Sequence, residues 1–331
     1  MTTVAMVLVL ATSALLGPGV LRATSAAELV HRSLVTIQSA WYMLRLGPRP
    51  AMVAEGFTVL LPDSRVLPHD AWGRPVSGLG FETQAGWVAA AARTAYLSLA
   101  AATGVDAGTP ETRTPGAGAG SDQTGSRPTL VIYPTHEAMA AAWGWPAGRA
   151  AVAAYWPGSV QIVAPAAWLI CDETGPKGTG AQSLLATVGH ELTHWYLDRL
   201  SLGRLPRWLS EGLAQRTEER LFGSEAPSDL VRARAVAAGA AGIETLTSWF
   251  DVGSAGPDDE RRAYALARSF VAFVDEMYHR GWEQRLVDAM RSGGRAGGRT
   301  KHDAFVVAVG RPLGEIEAQW LAWLVQREAP R

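Results

Sequence analysis

Two histidines four residues apart, His190 and His194, with a carboxylate, Glu191, directly after the first, are where residue type and spacing point most clearly to chemistry in this 331-residue chain. On a helix, positions i and i+4 share one face a turn apart, so two imidazoles at that spacing can reach a single ion. Glu191 sits about 100° further round the same helix, near such an ion without being forced onto it. A carboxylate there suits the removal of a proton from a metal-bound water, the task of a general base in hydrolysis. Imidazoles joined by one carboxylate are a donor set for zinc, three protein ligands leaving one position open. Manganese or cobalt could occupy the same donors. The bland alternative is two solvated histidines on an amphipathic helix, since so short a pattern also arises by chance. Leu184, Leu185 and Val188, just before it, favour a helix that crosses a core.

The third ligand must come from elsewhere. An elongated version of the pattern needs a glycine three residues and a histidine six residues after the second histidine, and Leu197 and Leu200 stand there instead. Ser201-Leu-Gly203 ends the motif helix and Pro206 opens another, beginning Arg207-Trp208-Leu209-Ser210-Glu211-Gly212-Leu213-Ala214. Two antiparallel helices joined by this turn bring Glu211, about one turn into the second, back alongside His194. Its carboxylate then completes a site for one Zn2+ per chain. Taken alone, Glu211 reads as a solvated helix face.

Those helices need a body to position them. Glu28 to Leu46 is compatible with a helix packed on it, although its pattern is mixed. Phe57-Thr-Val-Leu-Leu reads as a strand ending at Pro62, and the Ala-rich stretch from Gly86 to Ala102 as a helix. Thr129-Leu-Val-Ile-Tyr is a short β-rich run, followed by a helix from Thr135 to Trp143. Ser159 to Ala164 alternates polar and apolar, as a half-buried strand does. Beyond Gly180 only helical patterns remain: Ala181 to Leu200, Trp208 to Leu221, Arg261 to His279 and Leu313 to Gln326. This order predicts an α+β fold, a small N-terminal mixed sheet with helices and a mainly helical C-terminal half.

Hydrophobic residues make up 48% of the chain and charged residues 18%, enough for a sizeable core and too apolar for global disorder. Thirty Lys and Arg oppose 31 Asp and Glu, a balance that gives no field for nucleic acid or an anionic surface. Cys171 is the only cysteine, so neither an intramolecular disulfide nor a thiolate metal site is expected, and its Trp-Leu-Ile-Cys-Asp setting reads as a strand end or loop rather than a nucleophile. Residues 1–27 read as a signal peptide or N-terminal anchor: an apolar run from Ala5 to Gly17, Pro18, then small residues from Ala23 to Ala27, with no Lys or Arg before the run. The catalytic part is then secreted or extracytoplasmic, touching a membrane only through that anchor. Residues 28–103 form an N-terminal α/β part. Residues 104–128, rich in Gly, Thr, Pro, Ser and Ala, read as a flexible insertion.

His190-Glu-Leu-Thr-His-Trp195 followed by Leu205-Pro-Arg-Trp-Leu-Ser-Glu-Gly-Leu-Ala214 resembles the gluzincin zinc metallopeptidases, specifically the peptidase MA-like group. The resemblance runs roughly from Thr129 to Trp323 and includes a weaker likeness from Ala304 to Trp320. It implies a zincin-like peptidase domain over 129–331 that takes peptide or protein substrates, with His190, His194 and Glu211 as metal ligands and Glu191 as general base. The His194-to-Glu211 spacing is slightly shorter than in the best-known gluzincins. The Gly-x-Met-Glu-Asn signature of the large aminopeptidases is absent, so strict aminopeptidase activity is not implied. A donor for the tetrahedral oxyanion is also expected. Tyr264 is the first candidate, with Tyr155 and His302 behind it, each with a packing or surface role as the bland alternative. No group that orients the histidines can be picked, Asp198, one turn beyond His194, reading equally as an exposed side chain. By analogy with zincins, Ser159 to Ala164 would be an edge strand along which an extended peptide lies. Two other functions fit the residues: a zinc-binding, non-proteolytic domain that docks on the envelope or a partner, and a helical binding protein with incidental histidines.

Overall fold

The computed structural model describes residues 26–63, 65–66, 68–70, 72, 74, 79–103, 127–145, 151–222, 242–243, 247, 250, 257–278, 281–292 and 301–326. Nearly all of the N-terminal leader, residues 104–126 of the insertion, and the His302 side chain lie outside this set. The fold is α+β, and the chain divides into two compact units, Met1–Trp195 and Tyr196–Arg331.

The first unit is built on a five-stranded mixed sheet in the order β1-β2-β3-β5-β4. β1 (Ala51–Ala54) and β2 (Phe57–Leu60) form an antiparallel hairpin. Its two loop residues, Glu55 and Gly56, both have positive φ (51° and 78°), the conformation a two-residue hairpin needs to match strand twist. β2 pairs in parallel with β3 (Thr129–Tyr133), and β3 in parallel with β5 (Ser159–Val163) over Thr129↔Ser159 to Tyr133↔Val163. β4 (Ala153–Trp156) turns back through Pro157-Gly158 and pairs antiparallel with β5, Trp156 opposite Ser159. A smaller hairpin joins β6 (Cys171–Asp172) to β7 (Gly175–Pro176).

Three helices accompany the sheet: α1 (Ala26–Leu46), α2 (Phe81–Thr103) and α3 (His136–Trp143). The hydroxyl of Thr135 accepts from the Ala138 amide to start α3, and Gly144 at φ 68° ends it. Buried Val131, Tyr133, Met139 and Val163 form a core that Met43, Leu46 and Trp143 pack against. A buried polar network crosses it: the Tyr42 hydroxyl donates to Gln161 Oε1 at 2.6 Å and is hydrogen-bonded to the Tyr133 hydroxyl, which itself lies 2.9 Å from Gln161 Oε1. Arg127 and Pro128, the last two residues of the stretch read as insertion, are held in place: the Arg127 guanidinium lies over the rings of Phe57 and Tyr96 and donates to the Glu55 carbonyl at 2.6 Å.

α4 (Gly180–Ser201) carries the His190–His194 motif, and the boundary between the units falls inside this one continuous helix. Leu202 (φ 56°) and Gly203 (φ 67°) stop it, with the Gly203 amide donating to the Asp198 carbonyl at 2.9 Å. The Pro206 carbonyl then receives the Ser210 amide (3.0 Å), opening α5 (Arg207–Phe222). The second unit continues with α6 (Pro257–Met277), α7 (Trp282–Ser292), α8 (Lys301–Val309) and α9 (Leu313–Gln326). Its core gathers Trp208, Leu213, Phe270, Trp282, Phe305 and Trp320. Trp320 Nε1 donates to the buried Ser269 hydroxyl at 3.2 Å, so the indole is buried without an orphan donor.

Candidate metal centre

α4 is buried on most of its circumference around the motif. Leu184, Val188, Leu192, Trp195 and Tyr196 are all below a tenth exposed, and the Thr193 hydroxyl is tied back to the Gly189 carbonyl at 2.8 Å. The helix is therefore fixed by packing, and with it the rotamer space of the two histidines. His190 Nε2 and His194 Nε2 stand 3.2 Å apart, with the rings nearly edge to face (centroids 4.9 Å, 75°). Two nitrogens bound to one zinc at tetrahedral angles would be about 3.3 Å apart. Their spacing suits a ligand pair, and equally a hydrogen bond between the two rings.

A donor atom from each of His190, His194 and Glu211 lies within 4.8 Å of the others. This is the one group of three or more His, Cys, Asp or Glu side chains so arranged among the described residues. Glu211 is only 7% exposed, and Arg207 Nε stands 3.7 Å from its Oε1. Two imidazole nitrogens and one buried carboxylate are a donor set that fits a borderline-soft divalent ion. Glu191, 9% exposed, follows His190 on the helix and is outside the donor group. Asp198 is half-buried one turn beyond His194.

The candidate oxyanion donors separate. Tyr155, on β4, stacks on the His194 ring (centroids 6.3 Å, 22°). Tyr264, placed first from sequence, lies on α6 with its ring edge-on to Phe250 (5.3 Å, 79°) and packs against the helical core. His302 falls outside the described side chains.

Two expectations for one strand are overturned, that it is half-buried and that it lies at the edge. Ser159–Val163 is not an edge strand: β5 is paired on both sides and buried at every residue. The reason is the Pro157-Gly158 turn, which folds β4 back over that side, so β4 is the margin of the sheet. Proline at Gln161 or Val163 would therefore break a central strand rather than a peptide groove.

Cys171 sits half-buried at the β6 hairpin, and burial followed by the charge of Asp172 pushes its thiol up to about 11, so it is a thiol, not a thiolate, at neutral pH. No family model, curated protein or solved structure matches the chain.

Proposed function

We propose that the chain is a gluzincin-type metallopeptidase, a zincin-like fold that hydrolyses peptide bonds on the outer side of the membrane. The convergence of His190, His194 and Glu211 within 4.8 Å carries this reading, with buried Glu191 next to the first of them. His190, His194 and Glu211 would hold zinc, which when bound supplies a Lewis acid that polarises a carbonyl and lowers the pKa of water.

The chain's own residues account for the remaining chemistry. Glu191 accepts a proton from the attacking water as the oxygen–carbon bond forms. It returns that proton to the amine nitrogen as the carbon–nitrogen bond breaks. Tyr155, whose ring stacks on that of His194, would supply the hydroxyl that donates to the developing oxyanion, the role the sequence first offers to Tyr264. An extended substrate would add its backbone to the margin of β4, whose side chains are half-buried rather than sealed.

Chelator-sensitive digestion of casein or a peptide library, compared with the Glu191→Gln variant, tests the proposal. The variant is expected to keep its metal and lose turnover by about two to four orders of magnitude. A Glu191→Gln chain with normal activity would defeat the mechanism. Metal binding with no digestion of any substrate would favour a zinc-binding, non-proteolytic domain.

A further inference from the structure

The helix α1 has two apolar faces, and the outward one is covered only in part, where the Trp41 ring stacks on Trp156 (centroids 6.5 Å, 26°). Inward, Tyr42 enters the Gln161 network, Ser39 Oγ donates to the Pro157 carbonyl at 2.7 Å, and Met43 and Leu46 pack on the sheet core. Outward, Val30, Leu34, Ile37, Trp41 and Leu44 recur at steps of four, three, four and three residues, which places them on a single stripe of the helix. Four of the five are exposed, Trp41 by 53% and Leu44 by 82%, and Ile37 is half-buried.

We propose that this stripe seats α1 in the interface of an anionic lipid bilayer. The charge along the helix favours that occupant. Glu28 lies in the first turn, and every later charged or titratable residue with a basic side chain, His31, Arg32 and Arg45, follows it without another acid. The Arg45 guanidinium lies 5.7 Å from the Trp41 ring, a cation and an indole side by side, as suits the headgroup boundary. A second copy is the poorer occupant, because the stripe covers about two heptads and a coiled-coil seam needs three or four. The inference is independent of the metal centre.

A local probe on the full chain tests it. In a Cys171→Ser background, Leu44→Cys is labelled with an environment-sensitive fluorophore and mixed with phosphatidylcholine vesicles with and without phosphatidylglycerol. Leu97→Cys, exposed on α2, serves as the control position. The position-44 probe is expected to brighten and shift to the blue on the anionic vesicles while the position-97 probe does not. The triple variant Leu34→Glu, Trp41→Glu, Leu44→Glu should lower partitioning onto the anionic vesicles by roughly tenfold or more, with unchanged far-ultraviolet dichroism. A silent position-44 probe on chains that still sediment with vesicles overturns the proposal. So does a response that rises with protein concentration in the absence of lipid, which would place a second copy on the stripe.

Discussion

His190 and His194 illustrate what residue spacing fixes and what it leaves open. The i, i+4 relation sets both imidazoles on one face, and the 3.2 Å between their Nε2 atoms follows from a helix held rigid by buried neighbours. Glu211 was legible from the Gly203 stop and the Pro206 start, because both signals are local backbone chemistry. The neighbour of His194 was not legible in the same way: Tyr155 gains its place beside that ring only through strand pairing. Replacing Tyr155 by phenylalanine keeps the ring and removes the hydroxyl. Metal content should then be unchanged while kcat falls by roughly a hundredfold with little change in KM. Single-turnover kinetics on the metal-loaded variant checks this, and an unaltered kcat would assign the oxyanion to another donor.

Among elements, those with strong periodicity or clear punctuation were readable: α3 with its Thr135 cap and Gly144 stop, β3, α5 and α9. β1 and β4 were missed because each is four residues long with two alanines, and alanine is a poor strand former. Missing β4 also put β5 at the edge, since which strand lies outermost depends on a partner that the pattern of β5 itself cannot reveal. The contact between α5 and α6 rests on Gly212. A Cβ there would stand 2.5 Å from the Ala267 carbonyl oxygen and 2.8 Å from Val271 Cγ2. Gly212→Ala must therefore push the two helices apart, at a cost of about 1–3 kcal/mol. Glu211 is the preceding residue, so the same variant should lower metal affinity as well as the melting temperature. Calorimetry and metal titration together check the coupling, and an unchanged melting temperature would show that α6 gives way freely.

For the whole molecule, composition indicated a large core without strong surface fields, and the order of elements indicated α+β, which the sheet followed by helices bears out. Where the chain divides was not legible, because Trp195 and Tyr196 are consecutive residues of one unbroken helix. If an ion binds donors on α4 and α5, it binds the folded chain and not the unfolded one. Chelation should then lower the melting temperature of the parent, by an amount that grows with free metal concentration in the untreated sample. The Glu211→Ala chain should melt at the same temperature with or without chelator. The most direct test of the central claim is the metal content of the purified chain by elemental analysis, with His194→Ala and Glu211→Ala measured alongside. One zinc per chain, lost in both variants, is the predicted result. A parent that binds no metal even after reconstitution, or a Glu211→Ala chain that retains a full equivalent, would contradict the three-ligand centre.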